Sequence, residues 1–309
     1  MLPSRICDPH HHLWELPNSN YPPAVHSADL DTVPQVTSTV FVECGAWYRS
    51  AGPEHLRSVG ETDFVATHGD SRILGIVGTT DLRLGALTDE ALDAHTEAGR
   101  GRFRGIRQRA TWDSSPLIRP AAPDPGPGLL ADPEFRKGAR SLSRRGLVFD
   151  AWIYFPQIPE LAELARALPD LCIVLDHLGG PIVMGPYVDR NAVLAEVRRL
   201  LEPLVDCPNI SMKIGGLGMP LFGLGWHRQS TPPSPTTVAD SWRHLVDWVI
   251  ERFSPGRCMF ESNFPVDRSS FDYATMWSAF DLLSARLSES ERALLFHDTA
   301  WKTYGLHHG

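Results

Sequence analysis

Eight short segments rich in β-branched or apolar residues recur along the chain, at 5–8, 39–44, 73–78, 103–107, 147–154, 172–176, 210–214 and 258–261. Most are separated by a stretch with helical spacing, the alternation of βα units that wind a parallel sheet. Eight such units in 309 residues predict an α/β fold: a TIM-type (β/α)8 barrel, distorted in places, with long loops at the C-terminal face of its strands. No linker interrupts the alternation, so residues 1–309 are expected to form a single domain. Helix ends are readable too. Asp132-Pro133 sets a capping carboxylate before a first-turn proline, Phe135, Ala139 and Leu142 follow as a stripe, and Gly146 supplies the stop. Ser288 with Glu291 matches a capping box that opens a last helix through Leu294 and Leu295. Thr236 starts a helix whose Trp242, Leu245, Val246, Val249 and Ile250 form a stripe suited to packing on the barrel.

Hydrophobic residues at 42% and charged residues at 21% are the balance of an ordinary globular protein. A formal charge of -8 argues against a general affinity for nucleic acid or an anionic membrane, so the expected partner is a small-molecule substrate, with homo-oligomerisation left open. Met1 to Cys7 has no signal-peptide pattern, and no run of 18 apolar residues occurs, which gives a cytoplasmic expectation. The five cysteines Cys7, Cys44, Cys172, Cys207 and Cys258 are odd in number and widely spaced, which reads as free thiols.

Three connections are long: 13–34 after the first strand, 112–129 after the fourth and 215–235 after the seventh. All leave C-terminal strand ends, where a barrel of this kind carries its site. The second, with Pro116, Pro120, Pro123, Pro125 and Pro127, reads as a stiff cover or a surface excursion, and the other two as pocket walls. The polar residues at the strand ends are His10 and His12, Glu43, Asp81, Arg107 with Gln108 and Arg109, Tyr154, Asp176 with His177, Lys213, and Glu261 with Asn263.

The densest of these is the run Asp8-Pro9-His10-His11-His12. On an extended strand side chains alternate, so His10 and His12 point one way and His11 the other. A converging imidazole pair can bind a divalent metal, accept a proton or orient a substrate. Histidines near an N-terminus can also be surface or tag residues, but Leu13-Trp14 follows as folded protein would. His177 is a third candidate imidazole, although a strand-end histidine can simply cap a carbonyl. Lys213 either points a cation at substrate or snorkels into water. Arg107 suits a substrate carboxylate, and equally an internal ion pair with Glu43 or Glu261.

In combination, Ile6-Cys-Asp-Pro-His-His-His-Leu-Trp14, Gly105-Ile-Arg107, Asp150-Ala-Trp-Ile-Tyr154 with Pro156-Gln157, Leu175-Asp-His-Leu-Gly-Gly-Pro181, Lys213-Ile-Gly-Gly-Leu-Gly-Met-Pro220 with Gly225-Trp-His227, and Phe260-Glu-Ser-Asn-Phe-Pro-Val-Asp267 resemble one family. It is the amidohydrolase superfamily, specifically amidohydrolase family 2, whose branch of TIM-barrel hydrolases includes lactonases acting on sugar lactones and pyrone dicarboxylate, and related decarboxylases. The resemblance implies a metal-binding pocket at His10, His12 and His177. Two positions depart from it: Phe155 stands where the family commonly has a histidine, and Asn263 where the superfamily has a metal-binding aspartate that serves as base. An amide cannot take a proton from water at neutral pH, so another group must, with Glu261, His177, His227 and Asp267 as candidates.

The resulting expectation is a hydrolase that opens a lactone or an ester-like bond in a small carboxylated molecule, with a decarboxylase and a catalytically altered ligand-binding barrel as alternatives. His10, His12, His177, Glu261 and Asn263 form the expected catalytic set, and Arg107, Lys213, Trp226, His227 and Phe155 the substrate-binding set. One divalent metal, zinc or manganese, on His10, His12 and His177 would leave an open position. The family also contains metal-free lactonases, so metal-dependent and metal-free chemistry both stay open.

Overall fold

The computed structural model describes residues 1–16 and 19–307. Pro17 and Asn18 of the 13–34 connection, and the last two positions of the expected 1–309 domain, lie outside the described residues. Eight parallel strands stand side by side in chain order. They are β1 (Ile6–His11), β2 (Val36–Val42), β3 (Ile73–Gly78), β4 (Phe103–Arg107), β5 (Val148–Ala151), β6 (Ile173–Leu175), β7 (Ile210–Ile214) and β8 (Cys258–Phe260). Helices alternate with them, and the result is a nearly closed (β/α)8 barrel. Its seam joins the chain after β8 to β1: Asn263 N–H donates to His10 O at 2.9 Å and His12 N–H to Phe264 O at 2.7 Å.

The helix signals act as the sequence suggests. The Asp132 carboxylate accepts from Glu134 N at 2.7 Å and Phe135 N at 3.2 Å, opening Pro133–Arg144. Ser288 and Glu291 cap each other at the start of Glu289–Ala293, and the chain then runs through Leu294 and Leu295 as one wide π turn before Thr299–Thr303. The first long connection holds a hairpin, Trp14–Leu16 with Ser19–Tyr21, and the helix Pro23–Asp31. Residues 112–128 form neither helix nor strand. No helix among the described residues is long and apolar enough to cross a membrane. All five cysteines are free thiols.

The barrel interior is narrow and aliphatic. Cys7, Val40, Val42, Val77, Val148, Val174 and Met259 pack there in one cluster with Ala300, Tyr304 and Leu306 of the C-terminal segment. That segment packs directly against these strand side chains. Gly75 makes room for it, since a Cβ there would stand 3.1 Å from Leu306 Cδ2.

Candidate active site

β1 departs from simple alternation. Its register against β2 pairs Asp8 with Thr39 and His11 with Phe41, so three steps on β1 match two on β2. This bulge resets the side-chain frame between Cys7 and His10, and both face the interior. Asp8 is turned away: its carboxylate accepts from Ser262 N at 2.9 Å and from the Tyr273 hydroxyl at 2.9 Å. His10 and His12 then project together beyond the strand.

His12 and His177 have Nδ1 hydrogen-bonded to an acceptor, while His10 Nδ1 lies between a carboxylate and the Lys213 ammonium. His12 Nδ1 donates to the Val42 carbonyl at 2.7 Å. His10 Nδ1 lies 2.9 Å from Glu261 Oε2, and His177 Nδ1 lies 2.6 Å from Glu261 Oε1. One carboxylate from the end of β8 therefore orients two rings from two other strands. Glycine at 215 lets it in, because a Cβ there would meet Glu261 Cγ at 2.1 Å. With its Nδ1 hydrogen on the Val42 carbonyl, the His12 ring keeps a lone pair on Nε2. The His10 and His12 Nε2 atoms face each other at 3.2 Å, and the His10 and His177 ring centroids are 4.5 Å apart. His177 and Leu178 hold φ of 53° and 56°, in the left-handed region, where non-glycine residues are strained and cluster at functional sites.

All of this is buried: relative exposure is 0% for His10, 4% for His12 and 2% for His177. Burial, reinforced by Lys213 beside His10 and Arg107 beside His12, pushes both imidazoles well below their ordinary pKa, so they are neutral. Burial alone would raise Glu261, but the facing His177 and His10 overcome it and hold the carboxyl down at about 2. Below the histidines lies a charged layer. Lys213 Nζ donates to Asp150 Oδ2 at 2.5 Å and lies 3.1 Å from Asp176 Oδ1 and 3.2 Å from His10 Nδ1. Arg107 Nε donates to Glu43 Oε1 at 3.0 Å, and its Nη1 reaches His10 Nε2 at 3.4 Å.

The donor set fits a divalent cation. Two imidazole nitrogens on one tetrahedral zinc, each at about 2.0 Å, stand about 3.3 Å apart, close to the separation of the His10 and His12 Nε2 atoms. Neutral rings with carboxylate or carbonyl partners on Nδ1 are the form in which histidine ligates metal. His10, Asp176 and His177 also offer ligand atoms within 4.8 Å of one another. Asp176, however, approaches His10 on its Nδ1 edge, at 3.5 Å, the side away from His12. His12 lies outside that group, so the His10–His12 pair and the group of three share only His10.

Six of the expected site residues are thus brought together: His10, His12, His177, Glu261, Arg107 and Lys213. Of the two open readings of Arg107, the geometry has the ion pair with Glu43. Lys213 does not snorkel; it is fully buried. Asn263 adjoins through its backbone, while its side-chain Nδ2 donates to Asp267 Oδ1 at 2.9 Å. Burial pushes Asp267 well above the usual carboxylate range. Phe155 packs edge-on against Tyr187 and lines a cavity of about 530 Å³ with Pro186 and Val193. Trp226 packs on Phe271, and His227 Nε2 accepts from Arg228 Nε at 3.1 Å. Asp150 is the residue that strand-end reasoning passed over. It sits inside the apolar run Val148-Phe149-Asp150-Ala151, and a lone carboxylate in such a run is itself a signal.

Residues 7–306 match the model of a family described as amidohydrolase. The chain is 32% identical over 315 aligned residues to the uncharacterized protein y4mH of Sinorhizobium fredii, covering 97% of this chain and 98% of that one. It is 26% identical over 242 residues to an L-fucono-1,5-lactonase of Burkholderia multivorans, covering 77% and 73%. Among solved structures, an amidohydrolase from Burkholderia multivorans with bound zinc aligns with a TM-score of 0.77 at 22% identity, over 98% of this chain and 100% of that one. At that identity the likeness speaks for the fold alone.

Proposed function

Because this chain belongs to the amidohydrolase family, we propose that it is a hydrolase that opens a lactone, or cleaves a similar ester bond, in a small carboxylated molecule. The observation that carries this is the buried meeting of three imidazoles, with the His10 and His12 Nε2 atoms 3.2 Å apart and the His10 and His177 ring centroids 4.5 Å apart. His10, His12 and His177 would hold one zinc or manganese ion. Such an ion, when bound, polarises an ester carbonyl as a Lewis acid. Burial keeps His10 and His12 neutral, the Val42 carbonyl and Glu261 orient His12 and His177, and the Asp150–Lys213–Asp176 layer forms the floor beneath them.

A second reading needs no metal and has its own support: the Arg107 guanidinium stands 3.4 Å from His10 Nε2, where a cation is already supplied. In that reading Arg107 polarises the carbonyl, a role worth a few kcal/mol per donor. His177, backed by Glu261, takes a proton from the attacking water at Nε2 and returns it to the departing alkoxide. Glu261 itself, held at about 2, is too weak a base for that step.

The test is a panel of sugar 1,5-lactones, the class named for the Burkholderia relative, together with pyrone dicarboxylate. The assay follows acid release, with metal content measured on protein purified without chelator. Ring opening that is lost in His10→Ala supports the hydrolase. Stoichiometric metal that disappears in His10→Ala and His177→Ala selects the first reading, and undiminished turnover in metal-free protein selects the second. Carbon dioxide release without water uptake would make it a decarboxylase, and tight binding with unchanged ligand a binding barrel.

A further inference from the structure

Two arginines stand on one carboxylate oxygen at the end of β4. Arg107 Nε donates to Glu43 Oε1 at 3.0 Å, and Arg109 Nε lies 3.2 Å from the same atom. Glu43 is fully buried, so a single negative charge sealed from solvent faces two guanidinium groups. The next buried acid, Glu61, is occupied elsewhere. Its Oε1 accepts from Cys44 N at 3.1 Å and Ala46 N at 2.8 Å, and among the described residues it pairs with neither arginine.

The two cations differ in what they have left to give. Arg107 is 4% exposed and spends every nitrogen of its guanidinium: Nε on Glu43 Oε1, Nη2 on the Glu43 carbonyl and Nη1 on His10 Nε2. It offers no free edge. The Arg109 side chain is 30% exposed, and among the described residues its Nη1 and Nη2 make no hydrogen bond. Nη2 lies over Gly45, where a Cβ would stand 3.7 Å away, and glycine leaves that edge uncovered. An arginine with nothing to hold would stretch its head outward into water. This one is drawn back onto a buried acid, one carboxylate oxygen away from the arginine that reaches His10. Held by Nε with both terminal nitrogens open, it presents the planar fork that takes a carboxylate through two parallel hydrogen bonds.

We propose that Arg109 is the specificity-determining residue of the site: it takes the carboxylate of the substrate in a bidentate pair, and so selects lactones that carry an anionic group over neutral lactones of the same ring. This deepens the lactone-opening reading and rests on it for its kinetic part. The bonds that Arg107 already makes exclude it from the same role.

The matched probes are two six-membered sugar lactones that differ at one carbon. An aldaric acid 1,5-lactone has a free carboxylate on C6, and the corresponding aldonic acid 1,5-lactone has a hydroxymethyl group there. Wild type should open the first with the higher kcat/KM. Arg109→Gln should lower kcat/KM for the carboxylate lactone about 10- to 100-fold, mainly through KM, and leave the neutral lactone within about threefold, as expected when hydrogen bonds to a charged group are lost. Arg109→Lys keeps the charge without the fork and should fall between the two. Arg83→Gln is the charge control. The Arg83 guanidinium, in the connection after β3, is already bound to both oxygens of Asp81, and its loss should leave the ratio of the two lactones as it was.

An equal fall on both lactones in Arg109→Gln would mean that Arg109 only supports Glu43 and Arg107, and it overturns the proposal. A wild type that opens both lactones equally well overturns it too, with the hydrolase reading intact. If neither lactone is opened, calorimetric titration with the ring-opened aldarate decides. Binding that weakens about tenfold or more in Arg109→Gln upholds the carboxylate site and removes the hydrolase reading; equal binding, or none to wild type, removes both. If Arg109→Gln does not fold, Arg109→Lys carries the same comparisons.

Discussion

Within three residues β1 builds two histidine environments, one on each face. Toward the mouth, His12 Nδ1 is held by the Val42 carbonyl, His10 Nδ1 lies between Glu261 and Lys213, and the two Nε2 atoms face each other. On the opposite face His11 stacks on His26, ring centroids 3.9 Å apart, and touches Thr39 Oγ1 at 3.0 Å. There His11 Nδ1 and both ring nitrogens of His26 find no hydrogen-bond partner among the described residues. Both pairs are buried and both are pushed below the ordinary imidazole pKa by burial. Burial is therefore not what separates a reactive histidine from a packing one; the second-nitrogen partner is.

The strongest way to break this comparison is to truncate both faces. In the proposed reaction His10→Ala and His12→Ala should each lower kcat/KM on the order of 10³-fold, because each takes away a group the proposal sets at the reacting atoms. His11→Phe keeps the stack on His26 and should leave kcat/KM within about twofold. Steady-state kinetics on purified, folded variants check it. An inactive His11→Phe with native stability would erase the distinction between the faces.

Glu261→Gln sharpens the same point by disturbing the shared anchor and not the rings. An amide can accept one N–H as a carboxylate does but presents its own N–H to the other ring, so His10 and His177 cannot both be held. Turnover should fall about 10- to 100-fold, and in the metal-bound reading the affinity for the ion should fall with it. Stability should follow with a definite sign. The folded pKa of about 2 lies below the reference value of 4.5, so the contribution of Glu261 is present in full above pH 4.5 and is lost as pH falls toward 2. The gap in Tm between wild type and Glu261→Gln should thus be full at pH 7 and close in acid.

How far the sequence announces all this differs by residue. The barrel is legible because eight apolar segments alternate with helical spacing, and strand ends locate His10, His12, His177, Lys213 and Glu261. The bulge at Asp8-Pro9 is not, because it depends on pairing with β2, and plain alternation would group Asp8 with the inward histidines. Asp150 hides in an apolar run, and Tyr304 reaches it across 154 residues, a contact no local pattern encodes. Trp226, His227 and Phe155 sit in connections whose path is set by tertiary packing. All three are expected to bind substrate; the structure sets them beside Phe271, Arg228 and Tyr187, with Phe155 on the wall of a cavity.

The smallest effect comes from the outer face, and its direction is the informative part. His26 is fully buried with two unpartnered nitrogens, and a buried polar group without a partner costs about 1–3 kcal/mol. Phenylalanine has nearly the same shape and can keep the stack on His11, so His26→Phe should stabilise the protein by about 1 kcal/mol at pH 7. The gain should also depend on pH. Burial pushes His26 from 6.5 down to about 3. Between those values the unfolded chain binds a proton that the folded protein refuses, and wild-type stability falls as pH falls. Phenylalanine has no such proton. The advantage of the variant should therefore widen below pH 6.5, by about 1.4 kcal/mol for each pH unit, with lactone turnover at pH 7 unchanged. Urea unfolding at pH 7 and pH 5 measures the difference. A constant offset between the two would mean that His26 has a proton acceptor in solution, and the outer pair would then resemble the inner one.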